Sequence, residues 1–258
     1  MPEPLLHTDR RRARSFGAVA DDYDRYRPEY PHALIADLVP RAGMRVLDVG
    51  AGTGIASAQL LEAGADVLAV EPDPRMARIA ARKGIRVEQN TFEDWRPAGR
   101  SFDLVVFAQS FHWVAPRSAL SRVATILDDG GRLVLLWNRI SPVSPSREVL
   151  DRAYAGCLDA PQRPAVDPAG DTRVTAMIDE CGYDSEERRV VEECHYPTDD
   201  WLNMVCTYSN VLTLELQTRA RLRERLARYI GDGGVRARND AVAVVCRHRR
   251  PAPSFAPK

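Results

Sequence analysis

The segment VLDVGAGTG, residues 46 to 54, constrains the fold of this chain more than any other stretch. An apolar, largely β-branched run passes into three glycines spaced G-x-G-x-G, and a helical pattern starts directly behind them. Glycine has no Cβ, so the backbone there can turn through left-handed conformations and lie close against a ligand. The helix that follows presents its unpaired N–H groups to the same spot. Strand, tight turn and helix in that order open a βαβ unit of a parallel sheet.

The unit repeats along the chain. Apolar runs predict strands over 45 to 49, 66 to 71, 85 to 89, 102 to 107 and 131 to 137, with helices over 53 to 63, 74 to 82 and 115 to 127. Gly64 and Gly84 stand where helices should stop, and Pro74 falls in a first helical turn. Ahead of this region lies an aromatic and Arg-rich lead, SFGAVADDYDRYRPEYP, that runs into a helix over 31 to 38. Behind it, residues 141 to 170 are rich in Pro and polar side chains and read as a long connection holding a helix over 147 to 158. Long connections in compact domains are commonly lids or binding loops. Helices over 172 to 181, 199 to 207 and 214 to 230, with strands over 187 to 194 and 241 to 247, complete the reading.

The expected fold class is a Rossmann-like α/β domain with a mostly parallel seven-stranded sheet and helices on both faces. One domain over 16 to 248 divides into an N-terminal cover (16 to 43), a cofactor-binding core (44 to 138) and a lid and acceptor-side part (139 to 248). Residues 1 to 15, with tandem Arg10, Arg11, Arg12 and Arg14, and residues 249 to 258 read as flexible tails.

Charge narrows the partners. Acidic and basic residues balance at 36 each, and the basic ones, almost all Arg, are spread along the chain. A nucleic-acid or membrane partner held by a broad basic field is not expected. The five cysteines are widely spaced without a C-x-x-C pair, which argues against a metal or redox centre and for free thiols in the cytoplasm.

Glu71 ends the second strand about 20 residues after the glycines, where a carboxylate can accept both hydroxyls of a ribose. Gly54 comes one residue earlier than the third glycine of a dinucleotide motif, and Asp48 precedes the turn inside the strand. A pyrophosphate favours an N–H nest without acid nearby, whereas the ammonium of a methionine moiety favours a carboxylate. S-adenosylmethionine (SAM) is therefore expected rather than NAD.

Three further motifs accompany the glycines: F-G-x-x-A-x-x-Y-x-x-x-R-P-x-Y-P from Phe16 to Pro31, Q-x-F-H-W from Gln109 to Trp113, and T-Y-S-x-x-L from Thr207 to Leu212. With them the chain resembles class I SAM-dependent methyltransferases of the methyltransferase-domain 11 type. The resemblance implies that Gly50, Ala51 and Gly52 line the methionine and ribose portions of SAM, with Glu71 on the ribose. Pro72 and Met76 would flank the adenine, and Phe92 and Glu93 would close its other side. Gln109 would sit beneath the methionine, and Tyr23 or Arg27 would reach its carboxylate, for which a phenol or guanidinium is suited.

Methyl transfer is an in-line displacement at a carbon activated by positive sulfur, so alignment and exclusion of water dominate. His112 is the candidate general base, its ordinary pKa near 6.5 suiting proton removal at neutral pH. It could equally pack with Trp113 to seat the adjoining helix. Trp201, Met204, Tyr208 and Leu212 recur at helical spacing, as core or as an apolar acceptor wall. His195 and Tyr196 could face the acceptor, although an exposed loop is the simpler reading. The acceptor is expected to be a small molecule; an RNA or protein methyltransferase and a SAM-binding sensor without turnover are the alternatives.

Overall fold

The computed structural model describes Asp9, Arg12, residues 15 to 158 and residues 172 to 249. Its seven strands are β1 (Arg45–Val49), β2 (Asp66–Val70), β3 (Arg86–Glu88), β4 (Phe102–Ala108), β5 (Leu127–Ser144), β6 (Tyr183–Tyr196) and β7 (Val235–His248). They form one sheet in the order β3-β2-β1-β4-β5-β7-β6, with β7 antiparallel to both of its neighbours and the pairs from β3 to β5 parallel. The helices are α1 (Ala20–Tyr26), α2 (His32–Leu38), α3 (Ile55–Glu62), α4 (Pro74–Arg82), α5 (Pro116–Ala124) and α6 (Arg147–Tyr154). They continue with α7 (Thr172–Glu180), α8 (Thr198–Cys206), α9 (Ser209–Leu212) and α10 (Leu216–Ile230). This is the Rossmann-like α/β class that the strand and helix alternation predicts.

The sheet is covered on both faces because successive side chains of a strand point to opposite sides. Leu47, Val49, Val105, Phe107, Leu133 and Leu135 belong to one core, which α5 and α7 complete through Leu120, Val123 and Ile178. Val46, Leu104, Val106, Val134 and Leu136 belong to the other, packed by Leu34, Ile35 and Leu38 of α2 and by Ala56 and Leu60 of α3. A third cluster stands apart from these. It gathers Leu150 and Ala153 of α6, Trp201, Met204 and Val205 of α8, Leu222 and Leu226 of α10, and Val235 and Ala237 of β7.

The main departure from expectation is the length of β5 and β7. Residues 141 to 144 continue β5 instead of starting a loop, and their partners are residues 236 to 238 of β7. The approach to the last strand, VRARN, looks hydrophilic but alternates buried Val235, Ala237 and Asn239 with exposed Arg236 and Arg238. That is a two-residue period hidden by arginine. Similarly, β6 begins at Tyr183, with Glu and Arg on exposed positions of an edge strand.

The lead is ordered as a 3-10 turn, Phe16–Val19, running into α1. Polar groups tie it to the sheet. Asn138 of β5 donates through Nδ2 to the carbonyls of Pro28 and Glu29 at 3.2 and 2.9 Å and accepts from Asn239 of β7 at 2.8 Å. Tyr30 and Gln59 exchange a pair of hydrogen bonds at 2.9 and 2.8 Å. Arg12, expected in a flexible tail, donates through Nη2 to Ser209 Oγ at 3.0 Å, and its backbone N–H donates to Asp9 Oδ1 at 3.0 Å. Residues 1 to 8, 10, 11, 13 and 14 of that tail, the part of the connection from 159 to 171, and the tail from 250 onward lie outside the described residues.

Candidate active site

At the C-terminal ends of β1, β2, β4 and β5, beneath the lead and the third cluster, lies a cavity of about 560 Å³. Its floor is the glycine turn. Gly50, Gly52 and Gly54 have φ of +67°, +59° and +78°, all in the left-handed region that L side chains avoid. The three play different parts. A Cβ on Gly50 would lie 2.8 Å from that of Ser110, and one on Gly54 would lie 2.5 Å from Ile85 Cδ1, so these two serve close packing. At Gly52 the nearest atom to such a Cβ is Met76 Cε at 3.6 Å, so this glycine keeps the cavity open.

Glu71 locks the turn. Its Oε2 accepts the Gly52 N–H at 2.8 Å and its Oε1 accepts the Asp73 N–H at 2.8 Å. The side chain is nearly inaccessible to solvent, and burial pushes its carboxyl up to about 7 despite those two donors. Asp73 caps α4, its Oδ1 accepting from Arg75 N at 2.8 Å and Met76 N at 3.3 Å.

The expected cofactor residues Tyr23, Arg27, Gly50, Ala51, Gly52, Glu71, Pro72, Met76, Phe92, Glu93 and Gln109 all line this one cavity, and so does His112. Asp48 does not. It shares a strand face with Val46 and points beneath α3, where its Oδ2 accepts from Ser57 Oγ at 2.6 Å and its Oδ1 has no partner. Burial pushes its carboxyl up to about 6. Asp48 thus lies one layer below the cavity and makes no contact with it.

Arg27 also departs from expectation. Its Nε donates to Thr207 Oγ1 at 2.8 Å and its Nη2 to the Thr207 carbonyl at 3.0 Å. Its guanidinium lies 4.8 Å from the ring centroid of Tyr23 and 4.1 Å from that of Tyr208. Arg27 thus clips the lead to the end of α8, with cation–π contacts adding to the clip. Thr207 escaped sequence reasoning as a partner because 180 residues separate the two. Tyr30, Phe16, Asp73 and Asn138 were missed as wall residues too, although the first two belong to the quoted N-terminal motif.

The lead forms a roof. Phe16 packs edge-on against Tyr23 and Trp113, with centroids 5.8 and 5.7 Å away. Gly17 is buried so tightly on α4 that a Cβ there would lie 2.1 Å from Asp73 Oδ2. Since Asp73 is fixed by its cap, Gly17→Val should lift the roof. Calorimetry should show S-adenosylhomocysteine binding weakened about tenfold, the equivalent of about 1.4 kcal/mol. An unchanged affinity would mean that the roof does not contact the ligand.

Gln109 is one of two residues other than glycine with positive φ among the described residues, at +56°, and its N–H donates to the Leu136 carbonyl at 2.9 Å. Such conformations persist where the surroundings enforce them. His112 follows in a 3-10 turn, partly open to the cavity and packed on Trp113 with centroids 4.7 Å apart. Enclosure by protein, with the nearby positive charge of Arg12 adding, pushes its imidazole down to about 4. The ring is therefore neutral at physiological pH, and a weaker base than an unperturbed histidine.

The sequence profile of the methyltransferase domain family matches residues 23 to 154. An uncharacterized methyltransferase of Mycobacterium tuberculosis is 34% identical over 237 residues, which cover 89% of this chain and 91% of the relative. The chain belongs to the class I SAM-dependent methyltransferases. Two solved structures support the fold. A protein of Anaeromyxobacter dehalogenans superposes with a TM-score of 0.62 at 24% identity, covering 88% of this chain and 100% of that one. A SAM-dependent methyltransferase of Thiobacillus denitrificans, in complex with S-adenosylhomocysteine, superposes at 0.54 with 16% identity, covering 90% and 98%.

In this methyltransferase the C-terminal part of the cavity wall comes from the third cluster. Trp201 and Tyr208 line it, as does Tyr154 of α6, while Met204 is core and Leu212 is not on the wall. His195 is exposed and bonds the Gly233 carbonyl at 3.1 Å, and Tyr196 packs edge-on behind Trp201; neither reaches the cavity. No helix among the described residues is long and apolar enough to cross a membrane, and no group of His, Cys, Asp and Glu among them could hold a metal ion.

Proposed function

We propose that this methyltransferase transfers the methyl group of SAM to a small organic acceptor held in the same roofed cavity. The observation that carries this reading is that one cavity is lined both by the Gly52 and Glu71 turn and by the aromatic residues of the third cluster. A polymeric acceptor needs an open groove, and the roof of Phe16, Tyr23 and Trp113 argues against one.

The residues present fit SAM. Gly52 leaves the space that a Cβ would fill, Glu71 offers carboxylate lone pairs to ribose hydroxyls, and Met76 and Phe92 supply apolar walls for a purine. Tyr23 and Tyr30 line the cavity with phenols that burial keeps protonated, so they donate to a carboxylate while Arg27 steadies Tyr23 from behind. Asp48, below the turn, favours a positively charged ligand overhead. When bound, SAM supplies a methyl group on a positive sulfur; the protein's task is to align the acceptor and keep water out.

His112, neutral and on the cavity wall, takes the proton of a hydroxyl acceptor as the methyl is transferred, when that proton is most acidic, because an imidazole pushed down to about 4 is too weak a base to remove it beforehand. In a turnover panel of small phenols and amines, His112→Ala should lower kcat about 10²-fold with KM for SAM held within about twofold. A packing role would instead lower thermal stability and SAM affinity and leave kcat intact. The five cysteines, all free thiols, fit work in the cytoplasm. The reading as a whole is tested by titrating the protein with SAM, S-adenosylhomocysteine and NAD. Binding of NAD alone would overturn it, and cofactor binding with no turnover across the panel would favour a sensor.

A further inference from the structure

We propose that the acceptor part of the cavity takes an uncharged, planar aromatic molecule bearing an oxygen or nitrogen nucleophile. This rests on the reading that the glycine turn and Glu71 hold SAM. Five rings, those of Trp113, Trp137, Tyr154, Trp201 and Tyr208, stand on the cavity wall, and the last three belong to the third cluster or pack against it. Ile140 and Leu150 fill between them. Flat faces and edges of aromatic rings pack best against another ring, in offset or edge-on geometry.

Charge selects further. An anionic acceptor would have to lose its water among these rings, and two of the three arginines that line the cavity already have partners within the protein. Arg27 is bonded to Thr207, and Arg139 carries an interaction of its own. Asp151 is likewise engaged, and Arg147 is exposed to solvent at the start of α6. An aromatic cage can also attract cations, but a cation would share the cavity with a positive sulfonium, and like charges at that distance repel.

Hydrogen-bond accounting adds the heteroatom. The Tyr154 phenol, on the cavity wall and held protonated by burial, is a donor for a ligand that brings oxygen or nitrogen lone pairs.

The test uses the full chain and calorimetry, with S-adenosylhomocysteine bound first and three probes of matched shape added second. The probes are 2-naphthol (neutral, aromatic), 2-naphthoate (anionic, aromatic) and decahydro-2-naphthol (neutral, saturated). We expect 2-naphthol to bind at least tenfold more tightly than either of the others. In the Tyr154→Leu variant its affinity should fall about tenfold while that of S-adenosylhomocysteine stays unchanged, which also shows that the variant folds. Preference for naphthoate, equal binding of the saturated alcohol, or no binding of any probe to the loaded protein would each overturn the proposal. Failure of S-adenosylhomocysteine itself to bind is a different result, because it removes the cofactor reading on which this one stands.

Discussion

Glu71→Ala should weaken S-adenosylhomocysteine binding by about 10²- to 10³-fold, the largest loss expected from any single substitution in the cavity. Two effects combine. A carboxylate accepting two ribose hydroxyls contributes charge-assisted hydrogen bonds worth roughly 1.5 to 3 kcal/mol each. The same carboxylate holds the Gly52 and Asp73 amides at 2.8 Å, so its removal also lets the glycine turn relax away from its bound shape. Glu71→Gln should lose less, about tenfold, because one amide oxygen survives while the amide nitrogen faces an N–H it cannot accept. Thermal stability should change little in the Ala variant, since two buried amides lose their acceptor while a costly buried carboxylate disappears. Calorimetry on the three proteins decides the matter. An affinity of Glu71→Ala within threefold of the parent would show that Glu71 braces the turn without touching the ligand.

The parts of this site that could be read from the amino-acid sequence are those whose cause is local. The glycine turn needs three left-handed residues in a row of alternate positions, and only glycine adopts them without strain, so its function is visible in nine letters. Strands β1, β2 and β4 are legible for a similar reason: buried on both faces, they must be apolar at nearly every position. Asp48 shows the limit. Its place beside the glycines suggests contact with a ligand, yet period-two geometry puts it on the face of Val46, turned to Ser57 of α3. The alternation that predicts the strand also predicts this direction, and chemical suitability alone misleads.

Long-range pairs were illegible for a different reason. Arg27 is well suited to a carboxylate, but its hydrogen bonds go to Thr207, at the far end of the chain. Nothing local in either segment announces the other. The extension of β5 and β7 was hidden because its exposed face is arginine and its buried face is Ala and Asn, so neither hydropathy nor β propensity marks it. That extension matters to function. Beyond the expected end at 137 it carries Asn138, which holds the Pro28 and Glu29 carbonyls, and it supplies Ile140 to the wall that Trp137 also lines, so roof and cavity wall are fastened to one ribbon.

The charge beneath the turn should set stability against binding as pH changes. Burial raises the folded-state carboxyl of Asp48 from 3.8 to about 6 and that of Glu71 from 4.5 to about 7. A folded state that holds protons more tightly than the unfolded chain is stabilised by them. The gain is full below the unfolded pKa values and is lost as pH rises through the folded ones. His112 works in the opposite sense, since its imidazole falls from 6.5 to about 4 on folding and so adds stability as pH rises through that window. The melting curve of the parent protein therefore mixes opposing slopes, and a variant is needed to separate them. Asp48→Asn mimics the protonated acid. It should melt together with the parent near pH 4 and progressively above it as pH rises, by about 5 °C at pH 7.5. That figure corresponds to somewhat under the roughly 3 kcal/mol implied by two pKa units, at about 2 to 4 °C per kcal/mol for a chain of this size. The same variant should bind SAM about tenfold more weakly at pH 7.5, because a neutral amide offers no field to a positive ligand. Melting temperatures of both proteins from pH 4 to 7.5, beside SAM titrations at the upper end, measure the two effects. A variant less stable than its parent at pH 7.5 would mean that Asp48 is kept for the hydroxyl of Ser57. A more stable variant with undiminished SAM affinity would leave the buried charge without a function in the cavity.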